Sequence, residues 1–182
     1  MRAGEGRKRG RALIIGRFQP FHLGHLELVR KAAAEYDGVV VAVGSAQESH
    51  TQKNPFTAGE RVEMVTAAVR GAGIEAFHVV PIEDVHRHAI WVSHVVSLCP
   101  RFDAVLANEP LTTRLFEEAG FKVVRTELWK RREWSATEVR RRMAIGEDWR
   151  ALVPEPVAAV IVAIGGEERV SSLSKSDKHA ES

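Results

Sequence analysis

The sequence predicts a single doubly wound α/β domain, with a five-stranded parallel sheet and helices on both of its faces. Short apolar runs alternate with helical patterns along the 182-residue chain. Strands that are separated by helices run parallel and are joined by right-handed crossovers. A chain of this length forms one domain with a full hydrophobic core and leaves little room for a second.

The first half of the chain supplies three strands and two helices. The apolar run from Ala12 to Ile15 ends at Gly16, which predicts a strand at 12–16 followed by a helix at 23–36. Thr57-Ala58-Gly59-Glu60 has the spacing of a capping box, and the helical face that follows it ends at Gly71. The other two strands of this half are predicted at 39–43 and 74–81.

The second half repeats the alternation. A helix near 88–99 carries Trp91, Val95 and Leu98 on one stripe. Gly120 ends a helix, Ser135-Ala136-Thr137-Glu138 opens another with capping-box spacing, and Pro156 is well placed as the first residue of the last. The remaining predicted strands span 103–107 and 121–125, and the remaining predicted helices span 110–119, 135–146 and 156–164.

A Rossmann-like strand order of 3-2-1-4-5 places the binding site. Ligands of such sheets lie beyond the carboxyl ends of the strands, at the point where the strand order reverses. Here the order reverses between the first and fourth strands. Their following loops carry Arg17–His25 and Asn108–Pro110, so we expect the site there.

The segments outside the domain are polar. Residues 1–10 form a basic, Gly-rich arm that we expect to be disordered, 11–169 form the domain, and 170–182 are expected to be a flexible tail. No apolar run approaches the roughly 20 residues that span a bilayer, and no signal-peptide pattern is visible, so we expect a cytoplasmic protein without membrane contact. The net charge of +2 does not indicate nucleic-acid binding, and we expect none.

The loop after the first strand carries the chemistry. Arg17, His22 and His25 lie where the N-terminus of a helix presents free N–H groups, which is an anion site. Gly24 lacks a Cβ, so a phosphate can approach the backbone closely. Two other interpretations remain open, a pair of unrelated surface histidines and a metal-binding pair, although no Cys or acidic residue lies nearby to complete a zinc site.

Paired motifs then identify a resemblance over residues 11–169. Gly-Arg-Phe-Gln-Pro-Phe followed by His22-Leu23-Gly24-His25, and the late Ser135-Ala136-Thr137-Glu138-Val139-Arg140, resemble the two signatures of the HxGH nucleotidyltransferase superfamily. Three further segments make the chain similar to archaeal-type nicotinamide-nucleotide adenylyltransferases. These segments are Gly44–His50, Asn54–Arg61 and Ala89–Val92.

The resemblance implies a reaction that joins nicotinamide mononucleotide (NMN) to ATP and gives NAD and pyrophosphate, by direct in-line attack without a covalent intermediate. The attacking phosphate is already ionised at neutral pH, so the site has to align two anions and disperse charge. By resemblance, the catalytic residues are Arg17, His22, His25 and Arg140. The implied ATP-binding residues are Gly16, Phe18, Gly24, Lys53, Ser135 and Thr137.

Some of these residues have plainer interpretations. Ser135 is also a helix cap, and the run Arg140-Arg141-Arg142 is also a solvated face, of which only Arg140 matches the motif. Lys53 lies in a long polar loop that could close as a lid, and it is equally well an ordinary surface charge.

The mononucleotide site is implied by the resemblance at Gly44, Ser45, Asp84 and Trp91. Trp91 would stack on the nicotinamide ring through a cation–π contact, and the alternative is a buried core tryptophan. Asp84 would accept a hydrogen bond from the carboxamide or the ribose.

Trp129 and Trp134 would wall the adenine side, with core packing as their alternative. The chain departs from the family pattern at three positions, His88, Glu109 and Ala136.

No cluster of acidic, His or Cys residues predicts a protein-held metal site. Mg²⁺ is expected on the ATP phosphates. The resemblance also implies a homo-oligomer, a hexamer. Two rival functions stay open: transfer to another acceptor such as a flavin, pantetheine phosphate or polyol phosphate, and nucleotide sensing without turnover.

Overall fold

The structure is a computed structural model that describes residues 10–126 and 134–180. Its strands are β1 (Arg11–Gly16), β2 (Gly38–Val43), β3 (Phe77–Pro81), β4 (Ala104–Leu106) and β5 (Lys122–Val124). They form one parallel sheet in the order β3-β2-β1-β4-β5, which confirms the predicted fold.

Seven α-helices accompany the sheet in the described ranges. They are α1 (Leu23–Glu35), α2 (Ala58–Gly71), α3 (His88–Leu98), α4 (Pro110–Glu118), α5 (Ala136–Ile145), α6 (Glu155–Ala163) and α7 (Gly166–Ala180). A short 3-10 turn, Arg150–Leu152, precedes α6. Within residues 10–126 and 134–180, no helix combines the length and apolar character that a membrane crossing requires.

The two central strands divide the core into two layers. Alternate residues of β1 face opposite sides of the sheet, so Ala12 and Ile14 pack against α1, α2, α5 and α6, whereas Leu13 packs against α3 and α4. Every residue of β2 is buried, because both of its faces are covered by helices. Each fully buried valine in these strands contributes about 1.5–3 kcal/mol.

The capping box predicted at Thr57 is present. The Thr57 hydroxyl accepts from the Glu60 N–H at 3.3 Å, and the Glu60 carboxylate accepts from the Thr57 N–H at 2.8 Å. This reciprocal pair fixes the start of α2 just after the loop that follows β2.

The C-terminal segment differs from the expected flexible tail, because α7 continues to Ala180. Val170 is buried in the core, and Arg169 makes a bidentate ion pair with Glu60 at 2.7 and 2.8 Å. Burial raises the pKa of Glu60, but hydrogen bonds from Arg169 and Thr57 and the charge of Arg169 bring it below its usual value. The composition of the segment is polar, so these contacts with distant parts of the chain could not be read from it.

Candidate active site

The loops after β1, β2 and β3 meet at the carboxyl edge of the sheet. The Gly44 N–H donates to the Gly16 carbonyl at 2.9 Å, and the Ala46 N–H donates to the Ile82 carbonyl at 2.9 Å. Parallel strands end at the same edge, so these bonds join the loop of the two histidines to the loops that carry Ser45 and Asp84. The edge selected from the sequence is therefore where the motif residues gather.

His22 and His25 form a stacked pair at the start of α1. Their ring centroids lie 3.6 Å apart with an interplanar angle of 25°. His25 also meets Phe18 edge-on at 4.8 Å and Phe21 at 5.3 Å. The side chain of Phe18 is buried, so it supports the His25 ring, and a ligand can approach Phe18 only through its backbone.

Burial makes both imidazoles neutral. Desolvation lowers the pKa of His22 from 6.5 to about 4. Desolvation also lowers the pKa of His25 well below its usual value, with a further contribution from His22. At pH 7 the rings therefore act as uncharged donors, and the positively charged candidate residues of the two motifs are Arg17 and Arg140.

One hydrogen bond fixes the tautomer of His25. The backbone N–H of His22 donates to Nδ1 of His25 at 3.2 Å. A neutral imidazole that accepts at Nδ1 carries its proton on Nε2. His25 is therefore a preset Nε2–H donor. Nδ1 of His22 is buried and has no hydrogen-bond partner among the described residues.

Gly24 brings the two sequence motifs together. A Cβ at this position would lie 3.1 Å from Cε1 of His22 and 3.5 Å from the carbonyl oxygen of Trp134. Glycine thus lets the His22 ring lie close over the helix start, and the chain entering α5 passes beside α1 at an ordinary contact distance. Trp134 itself packs half-buried against the core, whereas Trp129 lies outside the described residues.

Arg140 and Arg17 supply the charge at this edge. Nη1 of Arg140 donates to the carbonyl of Gln19 at 2.7 Å, and burial together with the charge of Arg17 lowers the pKa of Arg140. The exposed Arg17 side chain makes no hydrogen bond or ion pair with the residues that the structure describes, and Arg140 has no carboxylate partner among them. Two nearby guanidinium groups without a counter-ion favour an anionic ligand.

The neighbours of Arg140 behave differently. Arg141 and Arg142 both form ion pairs with Glu138, at 2.8 and 2.9 Å. Ser135 caps α5 by accepting from the Glu138 N–H at 3.1 Å, and Thr137 is exposed in the first turn. Of the three consecutive arginines, only Arg140 is thus directed to the loop of the two histidines.

Two important residues were missed from the sequence. The side chain of Gln19 is buried and pairs with the Phe56 backbone through two hydrogen bonds of 2.9 Å. Arg61 is fully buried and donates to backbone carbonyls of the loops after β1 and β2. Both lie inside the motif segments, but only the tertiary structure shows what they contact.

The lid candidate Lys53 is exposed and makes no hydrogen bond or ion pair within the described part of the chain. Its loop is shaped locally, since the Asn54 N–H donates to the Thr51 hydroxyl at 3.0 Å. Arg140 donates to the Gln19 carbonyl of the loop with the two histidines. Lys53 makes no such hydrogen bond.

A pocket of about 310 Å³ lies beside Trp91 and Asp84. Trp91 is half-buried and meets Phe116 edge-on at 5.5 Å while it lines this pocket, so it serves both the core and the cleft. Asp84 is fixed by Gln47, whose amide donates to Oδ2 at 3.2 Å and accepts from the Asp84 N–H at 3.0 Å. Of the stripe predicted with Trp91, Val95 is buried but Leu98 is 45% exposed.

Three other positions singled out from the sequence, Gly44, Ser45 and Glu109, are described by their backbone geometry and hydrogen bonds. A Cβ on Gly44 would meet nothing closer than 3.8 Å, so contacts within the described residues do not require glycine there. Ser45 has a left-handed φ of 47°. Glu109 caps α4 by accepting from the N–H groups of Leu111 and Thr112 at 3.1 and 2.6 Å, and so it is occupied by the fold.

A doubly wound sheet that gathers these two motifs at its carboxyl edge is the arrangement of a nucleotidyltransferase. Residues 13–142 match the model of the cytidylyltransferase-like family. A nicotinamide-nucleotide adenylyltransferase of Methanolobus tindarius is 52% identical over 92% of this chain and 96% of its own length. The protein of the same name from Archaeoglobus fulgidus is 49% identical over 92% and 99%. The chain therefore belongs to the cytidylyltransferase-like family, among the nicotinamide-nucleotide adenylyltransferases.

A solved structure agrees with this fold. A bifunctional NMN adenylyltransferase/ADP ribose pyrophosphatase from Francisella tularensis, crystallised with AMP and a manganese ion, superposes with a TM-score of 0.77 at 21% identity. The match covers 93% of this chain and 53% of that protein, so this chain spans about half of it. At this identity the likeness concerns the fold alone.

The buried histidines predict an acid-sensitive free protein. The unfolded chain takes up protons below about pH 6.5, whereas folded His22 stays neutral to about pH 4, so stability falls as the pH drops through this window. His22 alone contributes on the order of 3 kcal/mol to that loss. Thermal melts of the ligand-free protein between pH 7.5 and 4.5 check this.

In the same melts, His22→Gln should flatten the pH dependence, and His78→Gln, at an exposed histidine of β3, should leave it unchanged. Equal slopes for the wild type and the His22→Gln variant would contradict the assignment.

Proposed function

We propose that this protein transfers the adenylyl group of ATP to nicotinamide mononucleotide, giving NAD and pyrophosphate, by direct in-line attack. The observation that supports this most strongly is the meeting of the His22–His25 pair with Arg17 and Arg140 at one edge of the sheet. The curated relatives that match nearly the whole chain carry the name of this activity.

The chemistry asks for positioning and charge dispersal. The attacking phosphate of NMN is ionised at neutral pH, so no general base is needed. Negative charge grows on the α-phosphate oxygens and on the departing pyrophosphate. A neutral imidazole with its proton on Nε2 donates to such an oxygen without giving up a proton, which suits His25.

The arginines would hold the rest of the triphosphate. Nη1 of Arg140 is tied to the Gln19 carbonyl, and the remaining N–H groups of its planar guanidinium would bind phosphate oxygens bidentately. Arg17 adds a second, exposed charge. The first turn of α5, with Ser135 and Thr137, would offer N–H and hydroxyl donors to the same oxygens, and Lys53 would approach from its loop.

NMN would lie across the loops after β2 and β3. The open space at Gly44 and Ser45 would admit its phosphate, and the pocket beside Trp91 would admit the nicotinamide ring. A cationic pyridinium over an indole gains cation–π attraction. Asp84, already oriented by Gln47, would accept a hydrogen bond from the carboxamide or the ribose.

Mg²⁺ would enter with ATP as part of the substrate. The described residues contain no group of three or more His, Cys, Asp and Glu side chains that could hold a metal. The motif side chains at the cleft are imidazoles and guanidinium groups, which are unsuited to a hard cation, whereas phosphate oxygens and water are its preferred ligands. The residues present therefore fit a metal carried on the triphosphate.

The homo-oligomer expected from the family, a hexamer, remains part of this proposal. Apolar side chains of α3 offer contact area for it, since Ile90, Val96 and Leu98 are each more than 40% exposed.

A direct substrate comparison tests the proposal. The purified protein with MgATP should release pyrophosphate with NMN and form NAD, and it should do so far less well with flavin mononucleotide, pantetheine phosphate or a polyol phosphate. Coupled pyrophosphate release and chromatography of the product measure this. Preference for another acceptor would overturn the assignment of NMN as the substrate. No turnover with any acceptor would favour a nucleotide sensor.

His25→Ala should lower turnover by at least about a hundredfold, because it removes a donor to the transferring phosphate. Initial rates at saturating substrates check this, with melts to confirm that the variant is folded. His78→Ala at an exposed site serves as the control and should keep wild-type rates. Near-normal turnover of the His25→Ala variant would remove His25 from the mechanism.

Trp91→Ala should weaken NMN binding more than ATP binding, since the ring loses its stacking surface while the triphosphate donors stay in place. Calorimetric titration of each nucleotide measures the difference. Trp91→Phe keeps an aromatic face and the contact with Phe116, and should lie between the two. Equal weakening for both nucleotides would make Trp91 a core residue only.

A further inference from the structure

Arg61 is a buried cation that forms no direct ion pair with the residues that the structure describes. It lies in the first turn of α2 and is 0% exposed. Among the described residues, its guanidinium makes no hydrogen bond or ion pair with a carboxylate, and its hydrogen-bond acceptors are all backbone carbonyls. The charges of Asp84 and Glu60 favour its cationic form without a direct contact. Burying a charge that has no direct ion pair is still costly, so a residue of this kind needs a reason beyond filling the core.

Its contacts join the loops that carry the two substrate sites. Nη1 donates to the carbonyl of Arg17 at 2.9 Å and to that of Gly44 at 2.8 Å. Nη2 donates to the carbonyl of Ser45 at 3.0 Å and, more weakly, to that of Glu48 at 3.4 Å. A single nitrogen atom thus ties the loop after β1 to the loop after β2.

The base of the side chain is anchored as well. Nε donates to the carbonyl of Thr57 at 3.2 Å, one turn earlier in the same helix start. All five N–H donors of a guanidinium lie in one plane and point in fixed directions. Lysine, with three rotatable donors on a single nitrogen, cannot reach the same set of carbonyls in this fixed geometry.

We propose that Arg61 is a positioning residue that sets the separation between the ATP phosphates on the β1 loop and the mononucleotide on the β2 loop. This inference rests on the proposed function. In-line transfer needs the attacking oxygen close to the α-phosphorus, and a misplacement of about 1 Å costs on the order of a hundredfold in rate. The loop separation is the quantity that Arg61 controls.

A ligand that spans both sites reports on this separation. NAD contains the adenylyl and mononucleotide parts in one molecule, so it needs both loops at the right distance, whereas ATP or NMN alone needs chiefly its own loop. Arg61→Lys should therefore weaken NAD binding at least about tenfold and change ATP and NMN binding less than about threefold, with turnover falling by on the order of a hundredfold.

The test is calorimetric titration of NAD, ATP and NMN into the wild type, Arg61→Lys and Arg70→Lys. Arg70 lies on the same helix but is exposed, so its variant should match the wild type. As a second measurement, added guanidinium should restore part of the NAD affinity of Arg61→Ala, because it can enter the space that the arginine side chain leaves. It should not restore the affinity of Arg61→Lys, because the lysine side chain fills that space.

The outcomes separate the two proposals. A wild type that binds neither NMN nor NAD overturns the proposed function. A wild type that binds all three nucleotides, with variants that lose them equally or that do not fold, overturns the positioning role and makes Arg61 a stability residue. Selective loss of NAD affinity together with turnover supports the proposal.

Discussion

The cleft depends on the way that Gln19 is held. Its side chain is paired with the Phe56 backbone, and its carbonyl accepts from Arg140. These bonds fasten the loop after β1 to the chain entering α2 on one side and to α5 on the other. Without them, residues more than a hundred positions apart in sequence would not share one anion site, because loops that project beyond a sheet have few packing contacts of their own.

The candidate site contains both uncharged and charged hydrogen-bond donors. Burial keeps His22 and His25 neutral, and the hydrogen bond from the His22 backbone N–H fixes the proton of His25 on Nε2. Arg17 and Arg140 supply the charge at the mouth. Neutral imidazoles avoid the cost of burying further cations near Arg61, and two guanidinium groups at the mouth favour an anionic ligand.

The C-terminal helix α7 supports the same arrangement through its contacts with the start of α2. Arg169 of α7 pairs with Glu60 and donates to the Pro55 carbonyl at 3.2 Å, next to the Phe56 backbone that holds Gln19. The C-terminal helix thus stabilises the start of α2 and, through it, the loop that Arg61 joins to the β1 loop. The contacts that stabilise the start of α2 therefore also support the geometry of the site.

The sequence by itself determined the alternation of strands and helices, the strand order, the capping box at Thr57 and the two motifs, because these depend on local pattern and on the chirality of crossovers. At Ser135 only the cap itself forms, since Glu138 pairs with Arg141 and Arg142 instead. The sequence also pointed to Arg140 rather than to Arg141 or Arg142. Only the tertiary structure decided that the imidazoles are neutral, that Arg61 and Gln19 join the loops, and that the polar segment after Arg169 is helical. Desolvation and pairing between distant residues are properties of the packed molecule, and no local pattern records them.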